Sequence, residues 1–339
     1  MKQIRSSRIV WSLAAFVLLC LSGLPAMGQQ AAPPREQAAA MEGQRARQAA
    51  MPDTPGTGAF PALKEEVPSL PDHVVYRPAD LGKLGSTKLG LYLFGNGGCS
   101  NDGASSRMHL LEIASHGYLA IALGRIRSGP GATTPPSPAP KPAQPPAGGA
   151  TPAGLAAATD TKGLITALDW ALAQNADPAS PYRGRIDPTA VAVSGYSCGG
   201  LQALQVASDP RIKTLVVMNS GIFNDGASRI TGVSVSKALL DTIHTPTLYV
   251  LGGETDIAYQ NGMDDFARIN HVPVVVGNLV GVGHGGTYWE PNGGKAAAAV
   301  VSWLNWQLRG DKRAAETFVG NSCGLCADPA WKIDKKRID

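Results

Sequence analysis

Gly195-Tyr196-Ser197-Cys198-Gly199-Gly200 sets a serine among small residues, a G-x-S-x-G with one further glycine. The run before it, Ala190-Val191-Ala192-Val193, is short and apolar, the pattern of a buried strand. The run after it, Leu201-Gln202-Ala203-Leu204-Gln205-Val206-Ala207, reads as a helix. A strand, a sharp turn and a helix would leave Ser197 alone at the tip, its hydroxyl above the sheet, as in a nucleophile elbow. Such a turn is tight and strained, so the residues around the serine must be small. With 40 glycines in the chain, the hexapeptide alone also fits a glycine-rich turn with a serine N-cap. Its surroundings decide between the two.

On either side, buried strands are expected at Val74-Val75-Tyr76, Leu89–Phe94, Tyr118–Leu123, Thr214–Met218, Thr247–Leu251 and Val272–Val276. Helical patterns fall between them, at Ser106–His116, Thr161–Asn175 and Ile257–Ile269, and a last one spans Lys295–Leu308. Strands that alternate with helices predict an α/β fold, a mainly parallel sheet with helices on both faces. In such sheets the site lies beyond the carboxyl ends of the strands. Residues 127–154 break the pattern, with nine prolines among 28 residues and little else but Ala, Gly, Ser and Thr. That composition cannot form a core, so it reads as an insert that loops out, either a surface insertion or a lid or spacer.

The ends follow from composition. Met1 to Arg8 is basic, Ile9 to Leu21 is apolar, and Ala26-Met27-Gly28 is a small-x-small cleavage site, so residues 1–28 read as a secretory signal peptide. The apolar run is too short for a stable membrane span, and a secreted or periplasmic location is expected. Residues 29–70, rich in Ala, Pro and Gln, read as a mobile leader, with the globular domain spanning 71–310 and a tail at 311–339. Beyond the signal, 27 basic residues face 26 acidic ones, so no nucleic-acid partner is expected. Cys20 leaves with the signal, and Cys99, Cys198, Cys323 and Cys326 remain, enough for two disulfides in an exported chain. Cys323-Gly324-Leu325-Cys326 reads as a structural clasp, and no histidine pair completes a zinc site, so neither metal nor cofactor is expected.

Two more stretches stand at strand ends. Gly252-Gly253-Glu254-Thr255-Asp256 follows Leu251, and Gly281-Val282-Gly283-His284-Gly285-Gly286 follows the Val272–Val276 strand. A serine hydroxyl is a weak nucleophile until a base takes its proton, a task for His284 near neutral pH. A carboxylate would hold the imidazole in the right tautomer. Asp256 lies a few residues past its strand, where a loop can reach the histidine; Glu254 is the rival. Asn96-Gly97-Gly98-Cys99, after Phe94-Gly95, has the place of a loop that offers N–H donors to an oxyanion.

The set FGNGGCS, GYSCGG, GGETDIAY and GHGGTY, over about residues 72–310, resembles secreted α/β-hydrolases of the dienelactone-hydrolase and chlorophyllase/cutinase-like branches. The resemblance implies Ser197 as nucleophile, Asp256 as acid and His284 as base, with the Cys198 N–H and that of Gly98 or Cys99 as the oxyanion hole. It departs from dienelactone hydrolases proper, whose nucleophile is a cysteine. The resemblance thus implies a serine esterase acting on a small-molecule or polymer-borne ester. A peptidase or acyltransferase would use the same groups, and a binding protein on a disabled scaffold would use none of them. Tyr196, Tyr259, Tyr288 and Trp289 are candidates to line the pocket. In that fold the Cys99 and Cys198 segments face each other, which implies a Cys99–Cys198 bridge, with Cys323–Cys326 as the second pair.

Overall fold

The computed structural model describes residues 46–132, 155–226 and 230–338. Nine strands form one sheet in the order β1 (Ala62–Val67), β2 (Leu70–Pro78), β4 (Tyr118–Leu123), β3 (Leu89–Gly95), β6 (Ile186–Tyr196), β7 (Thr214–Met218), β9 (Thr247–Leu251), β10 (Val274–Leu279) and β11 (Trp331–Lys336). The six from β4 to β10 run parallel, and β1, β2 and β11 add antiparallel pairings at the two edges. Two further short strands, β5 (Leu155–Ala156) and β8 (Ile230–Thr231), pair separately.

The inner strands are apolar throughout because both faces of the sheet are covered. Leu91 and Leu93 of β3 point to one face, with Val193 of β6 and Leu215 and Val217 of β7. Tyr92 and Phe94 alternate to the other, with Ala192 and Val216. The first face is covered by α2 (Lys162–Ala176), α3 (Cys198–Val206) and α4 (Tyr259–Arg268), through Leu164, Leu168, Leu201, Leu204 and Phe266. The second is covered by α1 (Arg107–Ser115) and α5 (Gly294–Arg309), through Leu110, Ile113, Val300 and Trp303. Each fully buried Leu, Val or Phe side chain here contributes about 1.5–3 kcal/mol.

The strands expected at Tyr118–Leu123, Thr214–Met218 and Thr247–Leu251 form with those bounds. The strand expected at Val272–Val276 instead starts at Val274 and continues to Leu279.

The domain limits differ from the expectation at both ends. Residues 46–70, expected to belong to a mobile leader, are fixed to the sheet and to α1. Leu63 pairs with Arg77, and the Phe60 N–H donates to the Ser115 carbonyl at 3.0 Å. Arg107 is 2% exposed and donates to Asp53 Oδ1 at 3.0 Å and to the Gln48 and Met51 carbonyls at 2.6 and 2.7 Å. The Thr57 N–H and hydroxyl donate to Glu112 at 2.8 and 2.5 Å. A segment with few large apolar side chains is thus held by the partners that two charged α1 residues need on burial. At the other end, part of the 311–339 tail belongs to the domain: β11 pairs with β10, and Trp331 and Ile333 lie against Gly277. The signal peptide, residues 29–45 and residues 133–154 of the insert lie outside the described residues.

Both cysteine pairs stand at disulfide distance, with Cα–Cα separations of 5.2 Å for Cys99–Cys198 and 4.9 Å for Cys323–Cys326. Among the described residues no helix is long and apolar enough to cross a membrane.

Candidate active site

β6 ends at Tyr196, and α3 begins two residues later. Between them Ser197 holds φ 53° and ψ −121°, a left-handed conformation that costs a non-glycine residue about 1–3 kcal/mol. The sequence meets the turn with glycines where three backbones converge. A Cβ on Gly95, at the end of β3, would lie 2.7 Å from the Gly199 carbonyl oxygen, and one on Gly195 would overlap the same carbonyl. The Ser197 N–H donates to the Met218 carbonyl at 2.9 Å, which ties the turn to β7.

Ser197, His284 and Asp256 come from three strand ends and meet in one line. Ser197 Oγ lies 2.9 Å from His284 Nε2, and His284 Nδ1 lies 2.7 Å from Asp256 Oδ1. An ionised carboxylate only accepts, so Nδ1 carries the hydrogen and Nε2 accepts from the serine hydroxyl. Asp256 is buried, while Glu254 is exposed on the same loop. Burial pushes the Asp256 carboxyl up, but hydrogen bonds from His284, Ala258 and Gly252 and the nearby imidazole outweigh it and hold it below the usual carboxylate range. The acid and histidine loops are also bound to each other, since Gly283 N–H donates to the Gly252 carbonyl at 2.9 Å. An imidazole held this way at a serine hydroxyl is placed to take its proton.

The glycine turn after β3 lies beside α3, where the Cys99–Cys198 pair joins the two. Cys198 opens α3, so its N–H has no partner within the helix. Gly98 and Cys99 are the two alternatives for the donor expected from the turn, and they differ. Cys99 N–H donates to the Asn96 carbonyl at 3.1 Å, so the expectation of a free donor there is corrected: the turn itself uses that group. Gly98 N–H has no acceptor among the described residues, and the side of Gly98 where a Cβ would stand faces open space. The Cys99 carbonyl accepts from the Ala158 and Thr159 N–H groups at 2.9 and 3.1 Å and from the Thr159 hydroxyl at 3.1 Å, which steadies the turn.

The four aromatic candidates separate. The Tyr196 ring lies 5.5 Å from the His284 ring, and its hydroxyl donates to the His284 carbonyl at 2.8 Å. Trp289 meets Tyr196 edge-on at 6.2 Å. Tyr288 is buried behind them, its ring 4.4 Å from that of Tyr196. Tyr259 opens α4 and packs on the core instead.

Asn219 was not anticipated. It follows β7 directly and donates from Nδ2 to Asp256 Oδ2 at 2.7 Å. The signal available was a lone amide residue at the carboxyl end of a buried strand.

A cavity of about 520 Å³ lined by Arg77, Trp170 and Tyr182 includes none of these residues. No group of His, Cys, Asp and Glu that could hold a metal ion occurs among the described residues. No known family model matches the chain, and no curated protein matches it.

Proposed function

We propose that this protein is an exported serine hydrolase of the α/β-hydrolase fold that cleaves a carboxylic ester through an acyl-enzyme. The observation that carries the reading is the line Asp256–His284–Ser197, with spacings of 2.7 and 2.9 Å, ending on a serine held at positive φ. His284 Nε2 takes the Ser197 proton while Oγ bonds to the ester carbonyl carbon. The oxygen that becomes negative is met by the N–H groups of Cys198 and Gly98. The intermediate collapses with cleavage of the bond to the alkoxy group, which leaves with the proton from His284. Water, deprotonated by the same imidazole, then releases the acid and restores the serine. Export is supported by two cysteine pairs at disulfide distance.

A fluorophosphonate probe tests the reading. The wild-type chain should label at Ser197, and Ser197→Ala should not. On a panel of p-nitrophenyl and aryl esters of graded length, Ser197→Ala should lower kcat by about 10⁶-fold, the scale seen when an acting serine nucleophile is removed. Equal turnover by the two proteins would sink the assignment, and turnover of peptides in place of esters would move it to another acyl transfer.

A further inference from the structure

The residue after β7 has no part in the hydrolytic steps, yet a strand and two loops converge on it. Asn219 is 2% exposed and sits at φ 44°, a left-handed position that asparagine tolerates better than most residues. Its N–H donates to the Val250 carbonyl at 2.7 Å. Its Nδ2 donates to Asp256 Oδ2 at 2.7 Å and to the Gly283 carbonyl at 3.1 Å. Its Oδ1 accepts from the Tyr288 hydroxyl at 2.7 Å. Both Nδ2 partners only accept, and the tyrosine can donate, so the network leaves the amide one orientation. Burial raises the Tyr288 hydroxyl far above its ordinary range, with Tyr196, Tyr92 and Asp256 adding to the effect, so it remains a donor.

We propose that Asn219, anchored by Tyr288, is a positioning residue: it fixes the Asp256 carboxylate so that Oδ1 faces His284, and it fixes the peptide that precedes His284. The proposal rests on the reading of Ser197, His284 and Asp256 as a catalytic triad. Without the amide, Asp256 Oδ2 keeps only the Gly252 N–H, at 3.0 Å. The carboxylate can then turn about its last bond, and the imidazole loses its fixed register with Ser197. An aspartate at position 219 would be worse, because two carboxylates at this spacing must share a proton.

The full chain tests this with Asn219→Gly, which accepts the positive φ, and with Asn219→Asp and Tyr288→Phe. Two readouts are taken: kcat and KM per fluorophosphonate-titrated site, and the downfield proton signal of the His284 Nδ1–H in ¹⁵N-histidine-labelled protein. In Asn219→Gly, kcat should fall about 10- to 100-fold, the range for one hydrogen bond to a charged group, with KM within about twofold. The downfield signal should weaken or move upfield. Asn219→Asp should lose more activity, and Tyr288→Phe should change both readouts in the same direction by less. A purely structural role would lower only the number of titrated sites. Wild-type kcat per site together with an unchanged downfield signal in Asn219→Gly would overturn the proposal. If that variant does not fold, the same two outcomes in Tyr288→Phe decide. A wild-type chain that neither labels nor hydrolyses esters would defeat the functional reading, while the proton signal, which needs no substrate, would still decide the positioning role.

Discussion

Asp256 and Glu254 are two residues apart and have the same charge, yet their surroundings divide them. Asp256 accepts from His284 Nδ1, Asn219 Nδ2 and the N–H groups of Gly252 and Ala258. Glu254 stands in solvent. Asp256→Asn should lower kcat by about 10⁴-fold, because the imidazole then favours the wrong tautomer. Glu254→Gln should stay within about threefold of wild type, as expected of a surface position away from such partners. Steady-state rates on one p-nitrophenyl ester check both, and a larger loss in Glu254→Gln would reverse the assignment. The choice between them was legible in part, from loop reach alone. Asn219 was not legible, because its part depends on a side-chain network that joins residues 37 and 69 positions away.

Between elements, the close approach of β3, β6 and α3 is the tightest constraint near the site. A Cβ on Gly199 would overlap the Gly95 carbonyl, which is backbone and cannot swing aside. Gly199→Ala should cost at least the roughly 1–3 kcal/mol of an overpacked core. Its Tm should fall by about 2–12 °C, and its fluorophosphonate labelling should slow because the elbow is displaced. A melting curve and labelling course equal to wild type would show that the two backbones can separate freely. The inner strands were readable because their apolar runs are too short for a buried helix and are bounded by turn residues. The edge strands were not. β1 reads Ala-Leu-Lys-Glu-Glu-Val and β11 reads Trp-Lys-Ile-Asp-Lys-Lys, and such charge is how a sheet edge avoids pairing with another chain. Residues 46–60 were missed for a related reason. They are fixed by hydrogen bonding to Arg107 and Glu112, which no hydrophobic pattern announces.

For the molecule as a whole, one of the groups through which pH acts is remote from solvent. His109 on α1 is fully buried among Tyr92, Phe94 and Tyr288, and its Nδ1 has no hydrogen-bond partner among the described residues. Burial lowers it from 6.5 to about 3, against a small opposing pull from Glu112. The unfolded chain therefore binds a proton here near pH 6.5 that the folded chain refuses until about pH 3. The stability contributed by the neutral ring is fully present above about pH 6.5 and is lost as pH falls toward about 3, with a slope of up to about 1.4 kcal/mol per pH unit. Guanidinium unfolding between pH 7 and 5 should show a shallower pH dependence in His109→Leu than in wild type. Parallel curves would assign the acid sensitivity elsewhere.

The Cys99–Cys198 pair also bears on how the chain is made. Of the five cysteines, the four among the described residues allow three full pairings, and the two pairs found here join each of the four to its next neighbour in sequence. A chain threaded amino end first into an oxidising compartment presents them in that order. Cys198 emerges while Cys99 is its only partner among the four, and Cys326 follows Cys323 by three residues. If the chain is exported as proposed, oxidation in order of arrival would give this connectivity without reshuffling, so an oxidant alone should suffice and refolding of the reduced chain should gain nothing from an added isomerase.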